Sequence, residues 1–178
     1  MKHLICLVLL LTFTCGQAAE QILITETSVG KITKKTKPEI EELSKLYPTM
    51  KFKKELYVIE GDYRLDAIIA YYEGKKILML LLDAGKTVAV TIYGNMFKTS
   101  NGNTIGDNFG IIYKNKYDCV HGHERYFDKI ICDAPIMKNA NYTFSSTKWK
   151  GQDGEMPPKK ILEEMKLEEI EVVWEDNP

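Results

Sequence analysis

Four runs of strand-forming residues, 52–60, 65–72, 76–82 and 86–93, follow one another with almost nothing between them. Their separators are Gly61-Asp62, Glu73-Gly74 and Ala84-Gly85, dipeptides that reverse a chain within two residues. Strands joined so tightly pair with their neighbours, so the pattern predicts an antiparallel meander. Ile77 to Leu82 is apolar at every position, which suits a central strand covered on both faces.

The flanking sequence adds shorter elements. Gln21 to Thr25 reads as an opening strand. Thr36-Lys37-Pro38-Glu39 has the form of a capping box with proline in the first turn, and Ile40, Leu43, Leu46 and Tyr47 follow at helical spacing until Pro48. Phe97 to Thr104 reads as a polar Asn/Gly-rich loop. Ile105-Gly106-Asp107 then looks like an N-cap entering a short helix that buries Phe109, Ile112 and Tyr113. Lys129 to Cys132 is the return strand of a hairpin flanked by cysteines. Tyr142 to Thr147 and Glu169 to Trp174 are late strands separated by a helix from Pro158 to Met165. The predicted fold is mainly β: an antiparallel meander in a sandwich-like single domain, with two or three short helices and one disulfide.

The first residues carry an address rather than a fold. Met1-Lys2-His3 is basic, Leu4 to Phe13 is apolar but too short to span a bilayer, and Cys15 to Ala19 is small and polar. Residues 1–18 therefore read as a signal peptide and residues 19–178 as one β-rich envelope domain. Gly16 and Ala18 obey the small-residue rule for a cut before Ala19. The competing cut precedes Cys15, which would then carry lipid, although Thr12-Phe13-Thr14 is a poor context for lipidation. The destination is the periplasm, or the outer membrane through a lipid anchor, with secretion a further outcome.

Outside the leader two cysteines remain, Cys119 and Cys132, an even number in an oxidising compartment. A structural bridge between them closes a loop of about 14 residues, worth roughly 3 kcal/mol in the chain-entropy account. A redox pair normally sits closer, as in Cys-x-x-Cys.

The whole chain carries 24 basic and 25 acidic residues, so it lacks an electrostatic footprint for nucleic acid. Residues 31–54 nevertheless hold eight lysines against three glutamates, and residues 155–178 hold eight acids against three lysines. Solvated faces are the expected reading of both clusters, with a partner-binding patch the alternative.

Catalytic signatures are sparse, and no cofactor is expected. His121, His123 and Glu124 form the most suggestive cluster, because two imidazoles and a carboxylate can share one cation. No HExxH or paired CxxC accompanies them. None of Ser28, Ser44, Ser100, Ser145 or Ser146 sits in a GxSxG elbow, and Gly102 to Gly106 lacks the Lys-Ser/Thr ending of a phosphate loop. Acidic residues are too numerous for a carboxylate pair to stand out.

Two segments look shaped for recognition. The turn from Glu60 to Leu65 presents Tyr63 and Arg64. The run from Trp149 to Pro158 holds Trp149, Asp153 and Met156 on a loop stiffened by prolines and freed by glycines. Arg, Trp and Met are favoured at binding hot spots, which makes Arg64, Trp149, Asp153 and Met156 a candidate surface. The alternative is that Trp149 and Met156 plug one end of the core.

The order Val29-Gly30-Lys31-Ile32, Gly61-Asp62-Tyr63-Arg64-Leu65, Ile105-Gly106-Asp107-Asn108-Phe109, Cys119, Cys132, Trp149-x-Gly151-x-x-Gly154-x-Met156-Pro157 and Val173-Trp174 resembles the RpoE-regulated lipoprotein family of Gram-negative bacteria. The resemblance implies a single, mainly β, sandwich-like domain facing the periplasm and a connection to envelope stress. It supplies no catalytic residues. The expected function is a non-catalytic binding module whose partner is an envelope protein or lipid, with membrane contact only through the anchor. A small metal-dependent hydrolase at His121, His123 and Glu124 is one alternative, and a secreted enzyme inhibitor is another.

Overall fold

A computed structural model describes residues 21–60, 63–123, 126–145, 148–149 and 154–174, with the side chain of Glu60 excepted. The leader with Cys15, the Gly61-Asp62 turn, Glu124 and Asp153 lie outside the described residues. The described chain is mainly β, with two sheets, three short helices and one disulfide.

The meander forms as the turn chemistry dictates. β4 (Lys51–Glu60), β5 (Tyr63–Tyr72), β6 (Lys75–Asp83) and β7 (Lys86–Ile92) are consecutive antiparallel neighbours. Glu73 and Gly74, at φ 49° and 77°, close one hairpin, and Ala84 and Gly85, at 47° and 76°, close the next. Two successive left-handed residues match the twist of the strands they join.

The sheet then continues out of sequence order. β12 (Lys166–Val173) lies between β7 and β11 (Ala140–Ser145), and β10 (Lys129–Asp133) and β9 (Cys119–His121) complete the order β4-β5-β6-β7-β12-β11-β10-β9. The chain's last described strand thus joins the meander to the cysteine hairpin.

A smaller sheet holds β1 (Ile22–Ile24), β2 (Ser28–Val29), β3 (Ile32–Thr33) and β8 (Phe97–Thr99). Part of the expected polar loop at 97–104 is therefore β8, which runs parallel to β1 with Ile22 opposite Phe97. Phe97 and Thr99 are buried and Lys98 between them is not, an alternation only three residues long.

Two expected caps resolve differently. α1 (Ile40–Leu46) begins after Glu39, without a side-chain cap. The Thr36 hydroxyl instead receives the Thr33 amide at 3.0 Å and closes the preceding turn. α2 (Phe109–Ile112) begins after Asn108, while the Asp107 carboxylate receives the Thr104 amide at 2.9 Å. α3 (Lys159–Glu164) lies where the sequence places a helix.

The core is on one face of the large sheet. Ile68, Leu80, Val90, Ile170, Val172, Tyr142, Phe144 and Ile130 pack there against Ile24, Val29 and Ile32 of the small sheet and Leu43, Phe109 and Leu162 of the helices. Full burial of each such side chain contributes about 1.5–3 kcal/mol. The opposite face of β6 is covered as well, but by side chains. Tyr57, Tyr71 and Tyr93 lie over Ala67, Ile69 and Met79.

Candidate functional site

The sheet end where β7 finishes and β6 and β12 begin is cut by two depressions, of about 690 Å³ and 440 Å³. Tyr93, Ile105 and Gly106 line both, so the two depressions adjoin and make a groove divided at Tyr93. Its walls are apolar at Ile77, Met96 and Ile105. Its rim carries Lys75, Lys76 and Lys166 against Glu73, Glu168 and Glu169.

Local chemistry explains why a groove exists here. The amides of Tyr93 and Gly94 both donate to the Ile77 carbonyl, at 2.9 and 3.2 Å, which ends β7. Gly94 then passes so close to Ile77 that an added Cβ would stand 3.0 Å from the Ile77 Cβ. The far wall is the loop at 104–107. The Gly106 amide donates to the Leu167 carbonyl at 2.8 Å, and the Leu167 amide donates to the Asp107 carbonyl at 2.9 Å. Gly106 sits at φ 97°, and nothing lies within 4 Å of where its Cβ would be.

Tyr93 dominates the groove chemically. The Lys76 ammonium lies 4.0 Å from its ring centroid, close enough for a cation–π contact. Burial first, then the charge of Glu169, raises the Tyr93 pKa well above the usual phenol value, so the hydroxyl stays protonated. Beside it, Lys129 bridges Glu169 at 2.9 Å and Glu168 at 3.3 Å. Burial opposes the charge on Lys129, but the hydrogen bond and fields of those carboxylates outweigh it and raise its pKa. Such a site offers stacking, hydrogen bonding and paired charge.

The residues singled out from sequence fall in three places. Cys119 and Cys132 are bonded and directly opposite each other across β9 and β10. His121 is buried, and its Nδ1 accepts the Gly154 amide at 3.2 Å. His123 is exposed, with its ring 6.5 Å from that of His121. Among the described residues no group of three His, Cys, Asp or Glu side chains converges as a metal site would require. Trp149 is half-buried and Met156 is exposed, both beyond the β11 end of the sheet. Arg64 pairs with Val58 at the opposite end, so it does not share a surface with Trp149 and Met156. Tyr93, Lys76 and Gly106 escaped the sequence reading as a site, although Ile105-Gly106-Asp107 carries part of the family resemblance.

A third depression, of about 1030 Å³, lies at the Arg64 end of the sheet and reaches Trp174, where the described chain stops.

The chain belongs to the family described as "Protein of unknown function (DUF1131)", which matches residues 15–176. No curated protein matches. Among solved structures, the uncharacterized protein yfeY from Escherichia coli is similar in fold, with a TM-score of 0.69 at 17% identity, over 85% of this chain and 99% of that one.

Proposed function

We propose that the chain is an exported, non-catalytic binding module of the cell envelope that holds an extended segment of an envelope protein in the groove at Tyr93. The two adjoining depressions at Tyr93 carry this reading. The Tyr93 ring, the open space beside Gly106 and a rim of both charge signs suit a peptide, which offers apolar, polar and charged groups together. The leader pattern at 1–18 supports export, and the paired cysteines are in keeping with an oxidising compartment. The resemblance to RpoE-regulated lipoproteins supports attachment to the outer membrane through Cys15 and a role in envelope stress, with release into the periplasm the outcome of a cut before Ala19.

Photo-crosslinking from position 95 in intact cells tests the groove. An adduct with an envelope protein is expected, and it should disappear on Lys75→Glu or Ile105→Trp while the fold persists. Adducts unaffected by either change would remove the groove from the reading. Mass spectrometry of the purified chain should find an acylated Cys15 or a start at Ala19. A retained Met1 would end the proposal of export.

A further inference from the structure

Asn101 precedes Gly102, whereas every other asparagine of the chain is followed by a residue with a side chain. A carboxamide is electrophilic at Cγ, and the amide nitrogen of the next residue is its nearest nucleophile. Glycine lacks the Cβ that would hinder their approach, so ring closure is least obstructed at this pair. The structure places the pair in the turn after β8, where both reactants are restrained. The Gly102 amide donates to the Thr99 carbonyl at 2.9 Å. The Thr99 hydroxyl donates to Oδ1 of Asn101 at 2.6 Å and receives the Asn103 amide at 3.0 Å. Thr99 is buried, but Asn101 is exposed and open to water. The turn is also fastened to the core. The Thr99 amide donates to the Asn103 carbonyl at 3.0 Å, and Nδ2 of the buried Asn103 donates to the Tyr142 hydroxyl at 3.4 Å.

We propose that Asn101 is a site of covalent self-modification, which closes to a succinimide on Gly102 when this turn opens, and that Thr99 keeps it shut. The Gly102 nitrogen attacks Cγ of Asn101. A new N–C bond forms, the Cγ–Nδ2 bond breaks, and the Gly102 amide proton leaves with Nδ2 as ammonia. Water then opens the cyclic imide at either carbonyl. One opening gives aspartate, and the other gives isoaspartate, which routes the main chain through the former side chain and lengthens it by a methylene. The net reaction consumes a water and releases an ammonia, with no change of oxidation state. Either product adds a negative charge to the turn. The longer isoaspartyl turn no longer holds Asn103 against Tyr142, so the modified chain is less stable than its parent.

This chemistry needs nothing from the groove at Tyr93. Peptide mapping by mass spectrometry reads it in the purified chain, held in mildly alkaline buffer with and without urea. In urea Asn101 should convert faster than any other asparagine. In the folded chain its conversion should be slower by about tenfold or more, because the hydrogen bonds of the turn must break first. Thr99→Val removes the hydroxyl at nearly constant shape and should speed conversion in the folded chain several-fold, while Thr99→Ser should keep the protection. Hydrogen exchange at the Gly102 amide measures the opened fraction without any variant. The folded rate should equal the rate in urea multiplied by that fraction. The isoaspartyl form, separated by its charge, should unfold at a lower urea concentration than the parent. Faster conversion of another asparagine in urea, equal rates with and without urea, or a folded rate unrelated to Gly102 exchange would each overturn the proposal. So would a folded Thr99→Val chain that converts no faster than the parent, or an isoaspartyl form of undiminished stability.

Discussion

The amide of Gly154 donates to Nδ1 of His121 at 3.2 Å, tying the segment after Trp149 to the cysteine hairpin. His121 is 4% exposed, so it acts as a buried post rather than a surface ligand. Replacing it with leucine keeps the volume and removes the acceptor. We expect a loss of about 1–3 kcal/mol in urea unfolding and faster hydrogen exchange at Gly154, with the disulfide still formed. Unchanged exchange at Gly154 would contradict the tie.

Gly30 holds the turn between β2 and β3 against α1. Its φ is 58°, and a Cβ there would run into the Tyr47 hydroxyl and the Ile22 side chain. That hydroxyl accepts the Lys31 amide at 2.7 Å. Gly30→Ala should cost about 2 kcal/mol or more, because backbone strain and overlap add. Tyr47→Phe should cost about 1 kcal/mol alone and relieve part of the alanine penalty in the double variant. Additive losses in chemical denaturation would show that the two residues are uncoupled.

Tyrosine ionisation sets the alkaline limit of the fold. Burial first, then neighbouring charges, raises the pKa values of Tyr93 and Tyr113, and burial likewise raises those of Tyr47 and Tyr142. These groups prefer the protonated form when folded, whereas the unfolded chain releases their protons from about pH 10. Stability should therefore be unaffected by them below that pH and fall as pH rises through the folded values. Spectrophotometric titration should show fewer than the ten tyrosines of the chain ionising before the fold is lost. Smooth titration of all ten in a folded chain would contradict this.

Local chemistry made much of this architecture legible. Alternating or wholly apolar runs between Glu73-Gly74 and Ala84-Gly85 specify both hairpins without reference to the rest of the chain, and the cysteines flank a hairpin that puts them face to face. The place of β12 was not legible. Pairing Ile170 with Ile92 and Tyr142 is a choice among distant strands that no local pattern encodes. β8 was hidden because Phe97, Lys98 and Thr99 give too short an alternation. Thr36 and Asp107 were misread because a side chain that caps a helix also closes a turn, and the turn won in both cases. The groove was invisible for the same reason as β12, since Tyr93, Ile105 and Glu169 meet only after the sheet has closed.

The position of β12 has a temporal consequence. Synthesised after every other described strand, it acts as a keystone between two hairpin systems that pair in the large sheet only through it. Until it is added, β7 and β11 both present open backbone, and the half-built molecule has no finished interior. A polypeptide assembled in that order cannot complete its large sheet until residues 166–173 are available.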